Sequence, residues 1–592
     1  MAGKHTIEPA QATQVVDGGW PLEPKERRDF YHRVRAWPPE VAAWRKQFVS
    51  EIIKRRDLYP SVPKDADEVS VRAMVDEGVA RIRELARILQ LVTKTTLPQR
   101  VPAPDREFAL DVDLVRVLTR IGLYEELGLK LQELTPANKK GLLPGLIPPI
   151  LRPALRRSLK VLAKTTCTTR APKCDTCEVG PLCRTDRNAR ASAAASSSSP
   201  TFIDLFCGAG GLTEGFKRAG YRPLAALDND ALSLRTYRYN HPEVPDENVL
   251  QADIREVSTA QLKKLAGKGL DVLIGAPPCQ GFSSAGFRSK RTQNGYRETR
   301  DARNFLFQEM LRIAGALKPR LILLENVPGM KSAKSQNTSF IDAAAQELER
   351  RWNYRTAIWR LNASAFGVPQ DRIRVFLVAS RIGDVPPRPG EEYQDMHSPN
   401  FDIDALPPVT LTDAIFDLPP RSPDSGEGAE RLTEPPNLDD KRFRRYLSKN
   451  NLLSKSALIF NHTVRFHNDR DLELYDLLEP GEDSVHILEK HGRTDLMRYR
   501  RDVFDDKYAR LRPDRPSKTI VSHLAKDGNG YIHPIQVRSI SLREGARVQS
   551  FRDGYAFCGS PSNQWVQVGN AVPPLLAQAI ATSFSACLTD GA

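Results

Sequence analysis

The chain is 592 residues long, 40% hydrophobic and 27% charged, with 87 basic against 73 acidic side chains and a formal net charge of +14. This is too apolar for wholesale disorder and long enough for about three or four domains. No apolar run approaches the roughly 20 residues that cross a bilayer, and the opening MAGKHTIEPAQATQVVDGGW lacks the apolar core of a secretory signal, so the composition excludes a membrane or exported protein and favours the cytoplasm.

Residues 1–187 read as mainly helical. Val71–Lys94 sets apolar residues three and four apart among Arg and Glu, as an amphipathic helix requires, and Leu114–Leu134 repeats the pattern. LLPGLIPPILRP (142–153) interrupts it with four prolines, and Ala154–Lys164 resumes as a basic helix. Residues 1–200 hold 34 Lys/Arg against 24 Asp/Glu, and 151–200 alone hold ten against three. Such a concentration suits a polyanionic partner or, equally, a solvated charged face. Four of the eight cysteines, Cys167, Cys174, Cys177 and Cys183, fall within this basic stretch. In a long chain without a secretory signal they read as a metal or iron–sulfur site rather than disulfides. NARASAAASSSSP (188–200) cannot build a core and reads as a linker.

Past the linker, short apolar strands alternate with amphipathic helices. TFIDLF, RPLAALD, DVLIGA, RLILLENV and RIRVFLVA are the strands, with LTEGFKRAGY and FLFQEMLRIAGAL among the helices. The alternation predicts a doubly wound α/β sheet with its ligands beyond the carboxyl ends of the strands. FIDLFCGAGGL (202–212) runs a strand through a glycine-rich turn into a helix, and Asp228 and Asp253 close the next two strands. That arrangement permits a nucleoside cofactor, although the spacing is not the dinucleotide GxGxxG. IGAPPCQGFSS puts Cys279 at a strand's carboxyl end behind two prolines, LILLENVPGM delivers Glu325 and Asn326 off another, and QDRIR sets Arg372 and Arg374 on one face. From about 382 to 535 the regularity fades into a Pro-, Asp- and Arg-rich region, and 538–586 is helical again.

These segments, in this order, resemble the DNA cytosine-5 methyltransferase family over about residues 201–586. The glycine turn matches its first cofactor motif, APPCQGFS its nucleophile motif, ENVPGM its glutamate motif and QDRIR its paired-arginine motif. ISLREGARVQSF (540–551) matches the helix after the target-recognition domain, and QVGNAVPPLLAQAIA (567–581) the last motif. The resemblance implies a methyltransferase (Rossmann-like) α/β fold, with the catalytic domain in 201–384 and 536–592 and a mixed target-recognition domain in 385–535. It implies S-adenosylmethionine as cofactor, held by Phe206, Gly208, Gly211, Asp228, Asp253, Pro278 and Asn570, where Asp228 stands in place of the more usual Glu. Double-stranded DNA is the implied substrate. Cys279 is the implied nucleophile toward a flipped-out cytosine, Glu325 its partner at the ring nitrogen, and Arg372 and Arg374 the remaining catalytic residues. The basic loop FRSKRTQNGYRETR (287–300) would close over the displaced strand. A bacterial restriction–modification or epigenetic setting, a cognate restriction endonuclease as partner and a monomeric state are the further expectations. An RNA cytosine methyltransferase and a catalytically silent DNA-binding regulator are the competing readings.

The spacing C-x6-C-x2-C-x5-C resembles the loop that holds a [4Fe–4S] cluster in endonuclease-III-like DNA glycosylases, with zinc or unligated thiols as alternatives. No Asp lies in residues 147–174, where such a glycosylase would place its catalytic aspartate. The expectation is therefore a DNA-docking module without base-excision activity.

Overall fold

A computed structural model describes isolated positions before residue 152, residues 152–168, 177 and 183, and most of 199–589; the longer segments outside the description are 279–305, 330–333, 398–403, 424–428, 432–445, 450–457 and 498–507. The chain divides into two compact units, one of residues 1–86, 96–115 and 123–157, the other of 87–95, 116–122 and 158–592. The helices expected over Val71–Lys94 and Leu114–Leu134 lie outside the described residues, apart from a buried, helical Val117. The basic helix is present as α1 (Arg152–Thr165), with Leu155, Ser158, Leu159 and Leu162 buried at three- and four-residue intervals.

The second unit is built on a seven-stranded sheet. Its strands are β1 (Thr201–Leu205), β2 (Arg222–Asp228), β3 (Val249–Gln251), β4 (Val272–Gly275), β5 (Leu321–Asn326), β6 (Arg355–Asn362) and β7 (Ile373–Ser380). Their spatial order is 3-2-1-4-5-7-6. β1 to β5 are parallel, and β7 runs antiparallel to both β5 and β6. Alternate side chains of each strand feed two cores. On one face Ile203, Leu205, Leu273, Ile322, Leu324 and Leu377 pack with α5 (Leu306–Leu317) and α6 (Phe340–Trp352), beyond α4 (Thr259–Ala266). On the other, Phe202, Ile274, Leu323 and Phe376 meet α2 (Gly211–Arg218) and α10 (Pro574–Thr589). Both faces being covered explains why the inner strands are continuous apolar runs. The α/β architecture is the doubly wound, mostly parallel one expected.

α2 and α10 approach closely. A Cβ on Gly215 would stand 2.4 Å from Ala577 Cβ and 2.6 Å from Pro574 O, so only a glycine lets the two backbones meet. Pro561–Leu588 runs counter to one expectation, since its best 18-residue window reaches a mean hydropathy of 1.4. The segment is two helices, α9 (Pro561–Asn570) and α10, and 61% of that window is buried. Its apolarity is core packing against the sheet.

Residues 382–535 contain short elements, among them a helix at Leu411–Ile415 and α7 (Asp469–Leu477). Leu411, Tyr446, Leu447 and Ile459 share a core with α8 (Leu542–Val548), Phe551 and Tyr555. Buried arginines tie this region together. Arg547 is held by Asp417 and by Asp553, the latter at 2.7 Å, and Arg538 forks onto Glu544 at 2.7 and 2.8 Å. Both guanidinium groups are thus matched by carboxylates, while the equally buried Arg543 donates to the carbonyls of Phe460, Arg552 and Tyr555.

Candidate active site

β1, β2, β4 and β5 end along one edge of the sheet, and the glycine turn lies at its head. Gly208 and Gly210 take φ of 52° and 91°, and Phe206 between β1 and the turn takes 59°. The glycines serve different needs. A Cβ on Gly208 would meet nothing within 4 Å among the described residues, so that side of the turn is open to them; one on Gly211 would strike Val572 O at 2.3 Å, so that side is closed by the last motif. Asp228 accepts the Gly208 N–H at 2.8 Å and the Asp230 N–H at 2.9 Å, and burial raises its pKa. Asp253 lies two residues beyond β3 and is clasped by the backbone and guanidinium of Arg255 at 2.5–3.0 Å, which holds its pKa down at about 2. Pro278 is half-buried past β4, and Asn570 is exposed at the end of α9. Of the expected cofactor residues, Phe206, Gly208, Gly211, Asp228 and Pro278 lie in the turn or at strand ends, whereas Asp253 lies past β3 and Asn570 two residues before Val572, whose carbonyl closes on Gly211.

One group at this turn escaped the sequence reading. Asp204, within the apolar run of β1, is fully buried, accepts the Thr213 hydroxyl at 2.6 Å on one oxygen, and has no hydrogen-bond partner on the other among the described residues. Burial raises its pKa to about 7. The folded state therefore binds a proton the unfolded chain has released. Stability is fully present below about pH 4 and falls by up to about 4 kcal/mol as pH rises to about 7. Melting curves across that window should show the slope in wild type and a reduced one in Asp204→Asn; equal slopes would refute the assignment.

Along the edge, β4 and β5 are in register, with Gly275 opposite Leu324. Asn326 donates to Pro277 O at 3.2 Å and so fixes the Pro–Pro segment leading to Cys279. Cys279 itself and the basic loop 287–300 lie outside the described residues. Glu325 is buried, with Arg374 Nε 3.0 Å from its carboxylate. Burial raises the Glu325 pKa, and Arg374 and Arg372 oppose the rise. Arg372 is itself buried and donates to Ile520 O at 2.8 Å and Gly569 O at 3.1 Å, which ties its guanidinium to the backbone of two other segments. The arrangement offers a buried carboxyl group whose acid form burial favours and whose ionised form Arg374 favours.

Cys207 packs with Ala226, Leu234 and Tyr237 beneath the turn. Cys167, Cys177 and Cys183 are partly buried, and Cys174 lies outside the described residues. Among the described residues no group of three or more His, Cys, Asp or Glu is placed to hold a metal.

The family profile described as C-5 cytosine-specific DNA methylase matches residues 200–586. The chain is 33% identical over 394 residues to "Type II methyltransferase M.DdeI" of Desulfomicrobium norvegicum, a match covering 65% of this chain and 88% of that one. It is likewise 33% identical over 453 residues to "Type II methyltransferase M.AgeI" of Thalassovita gelatinovora, covering 65% and 99%. A third relative, "Type II methyltransferase M1.HphI" of Haemophilus parahaemolyticus, is 33% identical over 384 residues, covering 64% and 85%.

Proposed function

Because the chain belongs to the family of C-5 cytosine-specific DNA methylases, we propose that the glycine-turn pocket and the Glu325–Arg374 pair serve one reaction, methylation of carbon 5 of a cytosine flipped out of duplex DNA, through a covalent adduct with Cys279. S-adenosylmethionine, when bound, supplies the methyl group as an electrophile. The open space beside Gly208 fits such a group. Phe206, Gly208, Gly211, Asp228, Asp253, Pro278 and Asn570 would hold it.

Carbon 5 of cytosine is a poor nucleophile, and a stacked base cannot be reached. Cys279 adds as thiolate to carbon 6, and Glu325 protonates or hydrogen-bonds the ring at N3 as charge arrives there. The ring becomes enamine-like, and carbon 5 takes the methyl group. Transfer of the carbon-5 proton to a base such as solvent water then expels the Cys279 thiolate, and the N3 proton returns to the Glu325 carboxylate, which restores the ring. Arg374 orients Glu325 and the base, and Arg372 acts through it as a positioning residue. The observation that carries this reading is Glu325, buried with a raised pKa and clasped by Arg374, at the strand end beside the segment that leads to Cys279. Bisulfite sequencing of DNA from cells expressing the protein tests it: protected cytosines in one sequence context are expected, and none in cells expressing Cys279→Ala.

The setting proposed is restriction–modification, as in the type II relatives, with a cognate endonuclease as partner and a monomeric enzyme. Residues 385–535 would read the target word. The domain limits 1–187 and 188–200 are carried forward on composition, and a [4Fe–4S] cluster at Cys167, Cys174, Cys177 and Cys183 on cysteine spacing alone. In that role the cluster would brace a basic loop on DNA. Protein purified without oxygen should then contain about four irons per chain, lost in Cys174→Ser/Cys177→Ser; one zinc or no metal would refute the cluster.

A further inference from the structure

We propose that His241 and Tyr555 are positioning residues for the cofactor, gripping the glycine turn by its carbonyl side through a hydrogen-bond relay of fixed direction. The proposal rests on the reading of that turn as the S-adenosylmethionine site. Tyr555 Oη contacts the Ala209 carbonyl and lies 3.0 Å from His241 Nε2. His241 Nδ1 lies 3.0 Å from Lys217 Nζ, which stands 2.6 Å from Glu243 Oε1. The four groups come from α2, from the turn after α3 (Ala231–Asn240), and from the segment beyond α8; histidine and tyrosine are 314 residues apart.

The polarity of every link follows from what each group can do. A carbonyl only accepts, so Tyr555 donates its proton to Ala209. The phenol oxygen then accepts from His241 Nε2–H. A ring protonated at Nε2 presents Nδ1 as acceptor, and an ammonium only donates, so Lys217 closes the relay with Glu243 as its counter-ion. One tautomer of a neutral imidazole satisfies all of it. A second proton would set Nδ1–H against the Lys217 ammonium, and burial together with that charge holds the His241 pKa well below its ordinary value.

The relay is also the wall against which the turn rests. At φ 91°, a Cβ on Gly210 would stand 2.3 Å from His241 Nε2 and 2.8 Å from Tyr555 Oη. The turn is thus clamped from both chemical directions. The Asp228 carboxylate accepts from the Gly208 N–H on one side, and the Tyr555 hydroxyl donates to the Ala209 carbonyl on the other. Neither group need move for the open face beside Gly208 to receive a ligand, which is what preorganisation of a binding turn requires.

Tyr555→Phe in the full-length protein isolates the relay. It removes one oxygen and leaves the ring in its cluster with Phe551 and Phe557, so the melting temperature should hold within a few degrees. Calorimetric affinity for S-adenosylmethionine should weaken roughly tenfold, as loss of one donor to a buried carbonyl implies, while kcat at saturating cofactor changes less than about twofold. His241→Gln, whose amide can still donate to Tyr555 and accept from Lys217, should retain more affinity than His241→Leu. That rescue is one a purely space-filling role would not produce. Unchanged affinity in Tyr555→Phe beside weakened binding in Asp228→Ala would overturn the relay. Unchanged affinity in both would overturn the pocket reading beneath it.

Discussion

Cys279→Ala should lose methyl transfer by at least about a thousandfold, to below detection, while cofactor affinity stays within about twofold of wild type. The thiolate is needed solely to break the aromaticity of the base, and the groups expected to hold the cofactor, Pro278 apart, lie in the turn after β1, at or past the ends of β2 and β3, and in the final motif. Without addition at carbon 6 the ring never becomes nucleophilic enough to attack a methyl group, and no neighbouring group can substitute for that covalent step. A DNA duplex carrying 5-fluorocytosine at the target reports the same event by a second route. Fluorine cannot leave as a cation, so wild type should be trapped on the duplex through denaturing electrophoresis, and the alanine variant should run free. Turnover by Cys279→Ala would remove Cys279 from the mechanism.

Glu325→Gln should cost about 10²–10⁴-fold in the single-turnover rate, the range for a lost general acid. Its pH dependence is the sharper readout. Burial raises the Glu325 pKa and Arg374 pulls against it. The protonated form gives up the proton, so the rate should fall as pH rises through the raised value. Deleting the opposing charge in Arg374→Leu raises that pKa further. The falling limb should therefore move to higher pH even as the overall rate drops. A limb that moved to lower pH, or one that persisted in Glu325→Gln, would mean another group titrates.

The residues proposed for this chemistry stand out in the sequence because parallel strands covered on both faces are unbroken apolar runs, and a Cys, Glu or Gly at the end of such a run has no packing reason to be there. The same logic explains what was missed. β6 (Arg355–Asn362) is bonded on one side alone, and its exposed Arg355 and Arg360 disguise it as a polar stretch. Asp204 carried a signal, an acid inside an apolar strand, that went unweighed beside the glycines following it. The Tyr555–His241 link left no local pattern, since its partners are 314 residues apart. The buried guanidinium groups of Arg538, Arg543 and Arg547 are equally silent in sequence, where an arginine reads as surface until its carboxylates or, for Arg543, its backbone carbonyls are found.

The closure of the last motif on the first has a consequence for how the enzyme is made. Val572 seals the turn at Gly211, Ala581 O receives the Tyr221 hydroxyl across 360 residues, and the Leu588 carbonyl reaches Arg320. A ribosome adding about 5–20 residues per second emits the cofactor turn tens of seconds before the helix that closes it. Throughout that interval the nascent chain owns the glycines but not the wall behind them. A message cut short between the Cys279 codon and the final helix would thus yield a protein with the proposed nucleophile and no finished wall behind the proposed place for the methyl donor.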